Sequence, residues 1–235
     1  MHRFWNSGRV LTKHFIVKVI ITGATGMIGE GVLLESLKHP QVSQILSVSR
    51  KPCGIEHPKL TEYIVPDFLA LQPNDPRLTG YDACFFCAGV SSVGMSEEQY
   101  ERLTYDTTIA FARATGPNPQ MTFVYVSGGG TDSSEKGRMH WARVKGKTEN
   151  DLMRMPFKQA FGFRIGVVQP ASGQQRVLSY YKYFSWLIPI LKVLLPRTIS
   201  TMSQVANAMI NVSQNGYPEN VIQISDIAIL SKQNG

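Results

Sequence analysis

Three glycines, a basic pair and one serine stand where their types and spacing could do chemistry. The stretch Thr22-Gly23-Ala24-Thr25-Gly26-Met27-Ile28-Gly29 sets glycines three apart. An apolar run, Val17 to Ile21, precedes it, and a helical pattern with Ile28, Val32 and Leu33 follows. In such a strand–turn–helix, Gly23 permits a tight turn, Gly26 lets the backbone approach a pyrophosphate, and Gly29 lets the helix pack on the strand. The free amides and positive dipole end of the helix, through Thr25, Met27 and Ile28, then face an anion. The spacing is GxxGxxG rather than GxGxxG, and a glycine turn serving packing alone is the competing reading.

Ser49-Arg50-Lys51 ends the next apolar run. At the end of the second strand of a dinucleotide-binding half, an acid binds the 2′-hydroxyl of NAD and an Arg accommodates the 2′-phosphate of NADP. No acid follows until Glu56, so NADP(H) is expected over NAD(H). Asp67 and Phe68 fall where a carboxylate reaches an adenine amino group and an apolar side chain flanks the ring. Cys87-Ala88-Gly89-Val90 is small enough for backbone to lie against a cofactor. Ser127 ends a later strand, where ligands of such sheets bind, and its hydroxyl can hydrogen-bond a substrate carbonyl.

The elements that must position these residues alternate. Strands are expected at Val17 to Ile21, Ile45 to Ser49, Lys59 to Val65, Ala83 to Ala88 and Met121 to Ser127. A sixth runs from Gln159 to Val168 with Arg164-Ile165-Gly166 inside it. Helices are expected at Met27 to Lys38, Met139 to Met155, and Glu97 to Thr115, the last carried by Tyr100, Leu103, Thr107 and Phe111. A capping box, Thr201-x-x-Gln204, opens a helix to Val212, and Asn220 to Ser225 reads as a final strand. This alternation predicts an α/β protein with a doubly wound parallel sheet, a Rossmann fold in three α/β/α layers.

With these motifs in place, the chain resembles the atypical or extended branch of the short-chain dehydrogenase/reductase superfamily, close to its NAD(P)-binding, epimerase-like proteins. The carrying residues are Thr22 to Gly29, Ser49-Arg50, Cys87 to Val90, Val124 to Gly130, Lys145 and Phe163-Arg164. The resemblance implies that Lys145 binds the nicotinamide ribose, that Ser127 polarises a substrate carbonyl, and that Arg164 belongs to the cofactor site. The family's proton donor is a Tyr four residues before the Lys. Here that residue is Trp141, whose indole N–H only donates and does not ionise usefully. Three readings stay open. Tyr105, Tyr125, His140 or a water on Lys145 supplies the proton; the reaction needs no strong acid; or the domain binds NADP(H) without turnover. The residue patterns alone give Tyr125 a core role, Tyr105 a helix-packing role and His140 a solvated position.

Composition bounds the rest. The chain has 235 residues, 24 Lys and Arg against 17 Asp and Glu, and a formal charge of +7. That excess suits a phosphate-bearing ligand, and the absence of a nucleic-acid-binding motif argues against nucleic acid as a partner. Of the three cysteines, Cys84 and Cys87 lie three apart on a strand and point to opposite faces, so no metal site is expected. They read as buried, reduced thiols of a cytoplasmic protein. Residues 1–16 form an extension bearing Arg3, Arg9 and Lys13, and 17–235 a single domain with a substrate or interface region at about 171–200. Its apolar run, Phe184 to Leu195, is interrupted by Pro189 and Lys192 and is too short to span a bilayer. Core or subunit interface is expected there over peripheral membrane contact, and the oligomeric state stays open. The expected function is an NADP(H)-dependent oxidoreductase acting on a small apolar carbonyl or alcohol. The alternative is a catalytically silent NADP(H)-binding regulatory or interaction protein.

Overall fold

A computed structural model describes residues 16–177 and 199–233. The 1–15 stretch and the apolar run from 178 to 198 lie outside the described residues. The centre is a seven-stranded sheet in the order β3-β2-β1-β4-β5-β6-β9, parallel at every pairing. Its strands are β1 (Val17–Thr22), β2 (Val42–Ser49), β3 (Leu60–Ile64), β4 (Ala83–Phe86), β5 (Thr122–Val126), β6 (Gln159–Phe163) and β9 (Val221–Ile222). The helices are α1 (Met27–Lys38), α2 (Glu97–Glu101), α3 (Thr107–Ala114), α4 (His140–Met153), α5 (Met202–Asn215) and α6 (Ile224–Leu230). This is the Rossmann fold in three layers.

Strands covered on both faces read as unbroken apolar runs, and β4 and the Val19–Ile21 part of β1 do so, with Lys18 exposed at the start of β1. In β1, Val19 and Ile21 join one core cluster with Val32 and Leu33 of α1 and Val205 and Met209 of α5. Ile20 points the other way, to Phe86, Phe111, Phe123 and Tyr125. Cys84 falls in the second cluster and Cys87 packs against the first, the opposite faces expected of residues three apart.

Three expectations about elements need correction. The sixth strand stops at Phe163 instead of running to Val168. Ile165 folds back so that its amide donates to the Phe163 carbonyl at 3.0 Å, and its own carbonyl accepts from Gly129 at 2.8 Å. The chain then leaves the sheet, and β7 (Val167–Gln169) pairs with β8 (Ile199–Thr201) in a separate two-stranded sheet. The final strand keeps only Val221–Ile222, because a reciprocal cap between Gln223 and Asp226 starts α6. Between α2 and α3 the long helix widens into a π-turn, Arg102–Asp106. The extra residue per turn shifts the buried stripe, so Leu103 is exposed while Thr104 and Thr108 are buried. The capping box Thr201/Gln204 forms as expected.

Candidate functional site

A concavity opens at the carboxyl ends of β1 to β4, where the strand order reverses between β1 and β4. It holds about 610 Å³ and is lined by Gly23, Thr25, Gly26, Ser49, Arg50, Asp67, Phe68 and Cys87 to Val90. Pro66, Leu69, Gln99, Arg102, Leu103 and Thr107 complete it.

The three motif glycines differ in what the fold requires of them. Gly23 has φ +72°, and a Cβ there would meet the Ala88 amide at 2.7 Å, so both its conformation and the close approach of the segment just after β4 demand glycine. A Cβ on Gly29 would run into the backbone of Gly23 and Ala24, which sets the spacing of α1 from the turn. Gly26 has neither reason. Its φ is −115°, and a Cβ would lie 3.4 Å from the Gly23 carbonyl, an ordinary contact. Gly89 has no atom within 4 Å of an added Cβ among the described residues, its chain neighbours aside. Both line the cleft, so their bareness serves the open side and not the protein's own packing. Gly26 is also the N-cap of α1, and no side chain caps it, which leaves first-turn amides to another acceptor.

Arg50 stands exposed on the rim and makes no hydrogen bond or ion pair among the described residues. The Ser49 hydroxyl, buried below it, donates to the Lys51 carbonyl at 2.8 Å and so shapes the turn that presents Arg50. Lys51 is exposed outside the lining. One Asp67 oxygen accepts from the Leu69 amide at 2.9 Å, fixing the turn that carries Phe68. Burial pushes the Cys87 thiol up to about 12, so it stays neutral in the wall. Met27, Ile28 and Gly29 stand just behind the lining in the first turn of α1.

Beyond this cleft, Ser127 follows β5. Its backbone amide donates to Phe163 at 3.0 Å. Its hydroxyl is buried and has no hydrogen-bond partner among the described residues. The Lys145 ammonium donates to the Ser127 carbonyl in a short contact. Burial holds that ammonium below its usual pKa, and the Glu149 carboxylate one turn on opposes the shift. The Trp141 ring lies along Gly130, where an added Cβ would sit 3.3 Å from it. The loop in between is closed by Asp132, whose carboxylate accepts from the Gly137 amide at 2.6 Å and the Ser134 amide at 3.0 Å.

The alternative proton sources are engaged elsewhere. The Tyr105 hydroxyl donates to Asp151 at 2.7 Å, and Tyr125 is buried in the aromatic core. The expected solvated role of His140 needs correction. It is partly buried, its ring is edge-on to Tyr100, and it joins α4 to the Glu97 carbonyl at 3.1 Å. Arg164 also departs from expectation. Its guanidinium bonds Glu149 at 2.6 Å and 3.3 Å, and Ser133. It lies outside the cleft lining and braces α4 against the end of β6.

Gln99, Arg102, Leu103 and Thr107 were missed as lining residues. Leu103 and Thr107 fit a helical core stripe, and nothing in the pattern announces the π-turn that turns them to the cleft. Such turns recur at functional sites.

No family model matches the chain. It is 26% identical over 169 residues to Protein fmp52-1, mitochondrial, of Aspergillus terreus, covering 69% of this chain and 72% of that protein. It is 28% identical over 167 residues to Protein fmp52, mitochondrial, of Aspergillus clavatus, covering 68% and 69%. Among solved structures, the Bordetella bronchiseptica enzyme WbmF in complex with NAD+ superposes with a TM-score of 0.61 at 16% identity, over 93% of this chain and 78% of that one. Helicobacter pylori ADP-L-glycero-D-manno-heptose-6-epimerase gives 0.60 at 14%, over 94% and 82%. The Bacillus cereus UDP-glucuronic acid 4-epimerase, with UDP-glucuronic acid and NAD, gives 0.60 at 14%, over 88% and 77%. The fold is therefore the Rossmann fold of these solved structures, two of which hold NAD, as the sequence motifs implied.

The cytoplasmic placement is corrected by the fungal relatives, which are named as mitochondrial proteins. Buried thiols report that cysteines are shielded and unpaired. They do not distinguish one reducing compartment from another.

Proposed function

We propose that the protein binds NADP(H) in the cleft at β1–β4 and acts as an oxidoreductase on a small, apolar carbonyl or alcohol presented to Ser127. The observation that carries the reading is the pair of glycines, Gly26 and Gly89, that the fold itself does not require and that both face the cleft. Together with the uncapped first turn of α1, they fit a pyrophosphate lying against backbone. Arg50, exposed and without a partner among the described residues, fits the 2′-phosphate, and Phe68 with Leu69 fits the adenine face.

When bound, the nicotinamide would supply the carbon that gives or takes hydride. The chain's own part is to bind, orient and polarise. The orphan Ser127 hydroxyl would donate to a carbonyl oxygen, and the Lys145 ammonium would swing from the Ser127 carbonyl to the ribose. Trp141 would wall the site and supply no proton, so a water on Lys145 is the donor assigned here. Exposed Leu103 in the cleft lining favours an apolar substrate.

Trp141 specifically favours a second reading, an NADP(H)-binding module without turnover. Fluorescence titration with NADPH and NADH, followed by cofactor consumption with a panel of aliphatic and aromatic aldehydes and ketones, separates the two. Tight NADPH binding with no consumption leaves the module. No binding of either nucleotide overturns both. A mitochondrial location is read from the relatives' designation, and organelle fractionation tests it.

A further inference from the structure

Glu30 is a buried carboxylate in the first turn of α1, only 2% exposed, on the helix whose open end forms the cleft. Its amide donates to the Gly26 carbonyl at 2.9 Å, so it stands one turn inside that end. A helix N-terminus carries roughly half a positive elementary charge. A full negative charge buried one turn in would reverse the sign of the end that has to meet an anion. The chain answers this from a distant segment of the sequence. The Arg176 guanidinium bonds Glu30 at 3.3 Å, and the Arg176 amide donates to its second oxygen at 2.6 Å. The same guanidinium donates to the Cys53 carbonyl at 2.9 Å, in the turn that follows Arg50. Beside it, the Gln174 side-chain amide donates to the Met27 carbonyl at 2.6 Å.

We infer that Arg176 is a positioning residue of the anion cradle. By pairing with buried Glu30 it cancels the carboxylate's field, so that the α1 N-terminus presents net positive charge to a pyrophosphate. This rests on the proposed dinucleotide site and adds that its affinity is set by a residue outside the cleft, 146 positions from Glu30. An interaction kept only for packing would make every disruption of the pair lower stability and leave nucleotide affinity to follow stability. A charge-cancelling pair gives a different pattern, because removing the cation is harmful and removing both charges is not.

The test measures NADPH binding by fluorescence titration and thermal stability by calorimetry for four proteins: the wild type, Arg176→Leu, Glu30→Gln and the double variant Glu30→Gln/Arg176→Leu. Arg176→Leu is expected to raise the Kd about tenfold, from one unpaired carboxylate acting over a helical turn at intermediate dielectric. The double variant is expected to return within about threefold of the wild type. Glu30→Gln is expected to bind NADPH at least as tightly as the wild type even where its Tm falls, and it answers the question if Arg176→Leu does not fold. Equal weakening in the single and double variants, or weakening in Glu30→Gln, overturns the inference while leaving the dinucleotide reading intact. Failure of the wild type to bind either NADPH or NADH overturns both.

Discussion

At the carboxyl edge of the sheet, the part of the cleft between Gly23–Gly26 and Cys87–Gly89 is made from backbone and small side chains. The end of β5 instead concentrates its chemistry in three side chains, Ser127, Trp141 and Lys145. A backbone site is protected by sterics, since Gly23 and Gly29 cannot change without moving the chain. A side-chain site can be rewritten by one substitution in an unchanged frame. Trp141 occupies α4, four residues from Lys145, with the helix and loop around it complete. The two regions can therefore have separate histories of use, with binding fixed by the fold and turnover carried by a few exchangeable groups.

The largest expected effect tests how the β5–β6 side is held. Glu149 is fully buried and Arg164 is 13% exposed at their 2.6 Å contact, and breaking such a pair from one side costs about 3–5 kcal/mol. Arg164→Leu should lower stability by that much in denaturant unfolding, with NADPH affinity of the folded fraction retained. A lost affinity would mean that Arg164 serves the cleft after all. Next is the exchange that separates turnover from binding. Trp141→Tyr restores an ionisable donor and should raise cofactor consumption with a suitable carbonyl about a hundredfold. An unchanged rate would put the defect beyond the proton donor. Within the cleft, Gly29→Ala should cost about 1–3 kcal/mol by overpacking. Gly26→Ala should leave the Tm in place and weaken NADPH binding, and equal loss of Tm in both variants would erase the distinction drawn between them. Arg50→Gln should weaken NADPH about tenfold and leave NADH unchanged, the loss of one charge-assisted contact to phosphate. The smallest effect is in pH. Burial places the folded-state pKa of Lys145 below its usual 10.5, so the folded chain releases this proton before the unfolded chain does. The contribution of Lys145 to stability therefore rises with pH across the window from the lowered value up to 10.5. Lys145→Met should remove that slope in unfolding measured as a function of pH.

The parallel sheet and the cleft-forming turns were legible because parallel, doubly covered strands leave long apolar runs and glycines mark the turns, whereas the strand order comes from the structure alone. Gly23, Gly26, Arg50, Phe68 and Gly89 could be placed at the cleft before any coordinates, since the end of each strand in this topology has a fixed neighbour. The misreadings share a cause. Whether the chain continues as a strand past Phe163 depends on the Ile165 carbonyl finding Gly129, a tertiary bond with no local pattern. The π-turn at Arg102–Asp106 preserves a helical sequence while rotating the faces it presents. The Glu30–Arg176 pair joins residues too far apart for any spacing rule. Gln223 caps α6 with a residue seldom used for capping, so an apolar stretch containing a helix start passed as strand.

The central place of β1 has a consequence for how the molecule comes into being. Lys18 reaches its partner Asp82 across 64 residues, its amide donating to the carboxylate at 2.8 Å, and β4 then docks along β1 from Val19 to Thr22. Closing so long a loop carries an entropic toll before any parallel pairing rewards it, which makes sheets of this kind slow to assemble. The cleft shares that delay. Its walls exist only once the segment through Thr107 has been synthesised and has settled beside β1, so during biosynthesis a nucleotide has no seat on the earliest folded hairpins of helix and strand. Any ligand that engages the finished walls then acts as a late clamp on the folding reaction, drawing the equilibrium toward the native chain in proportion to its free concentration.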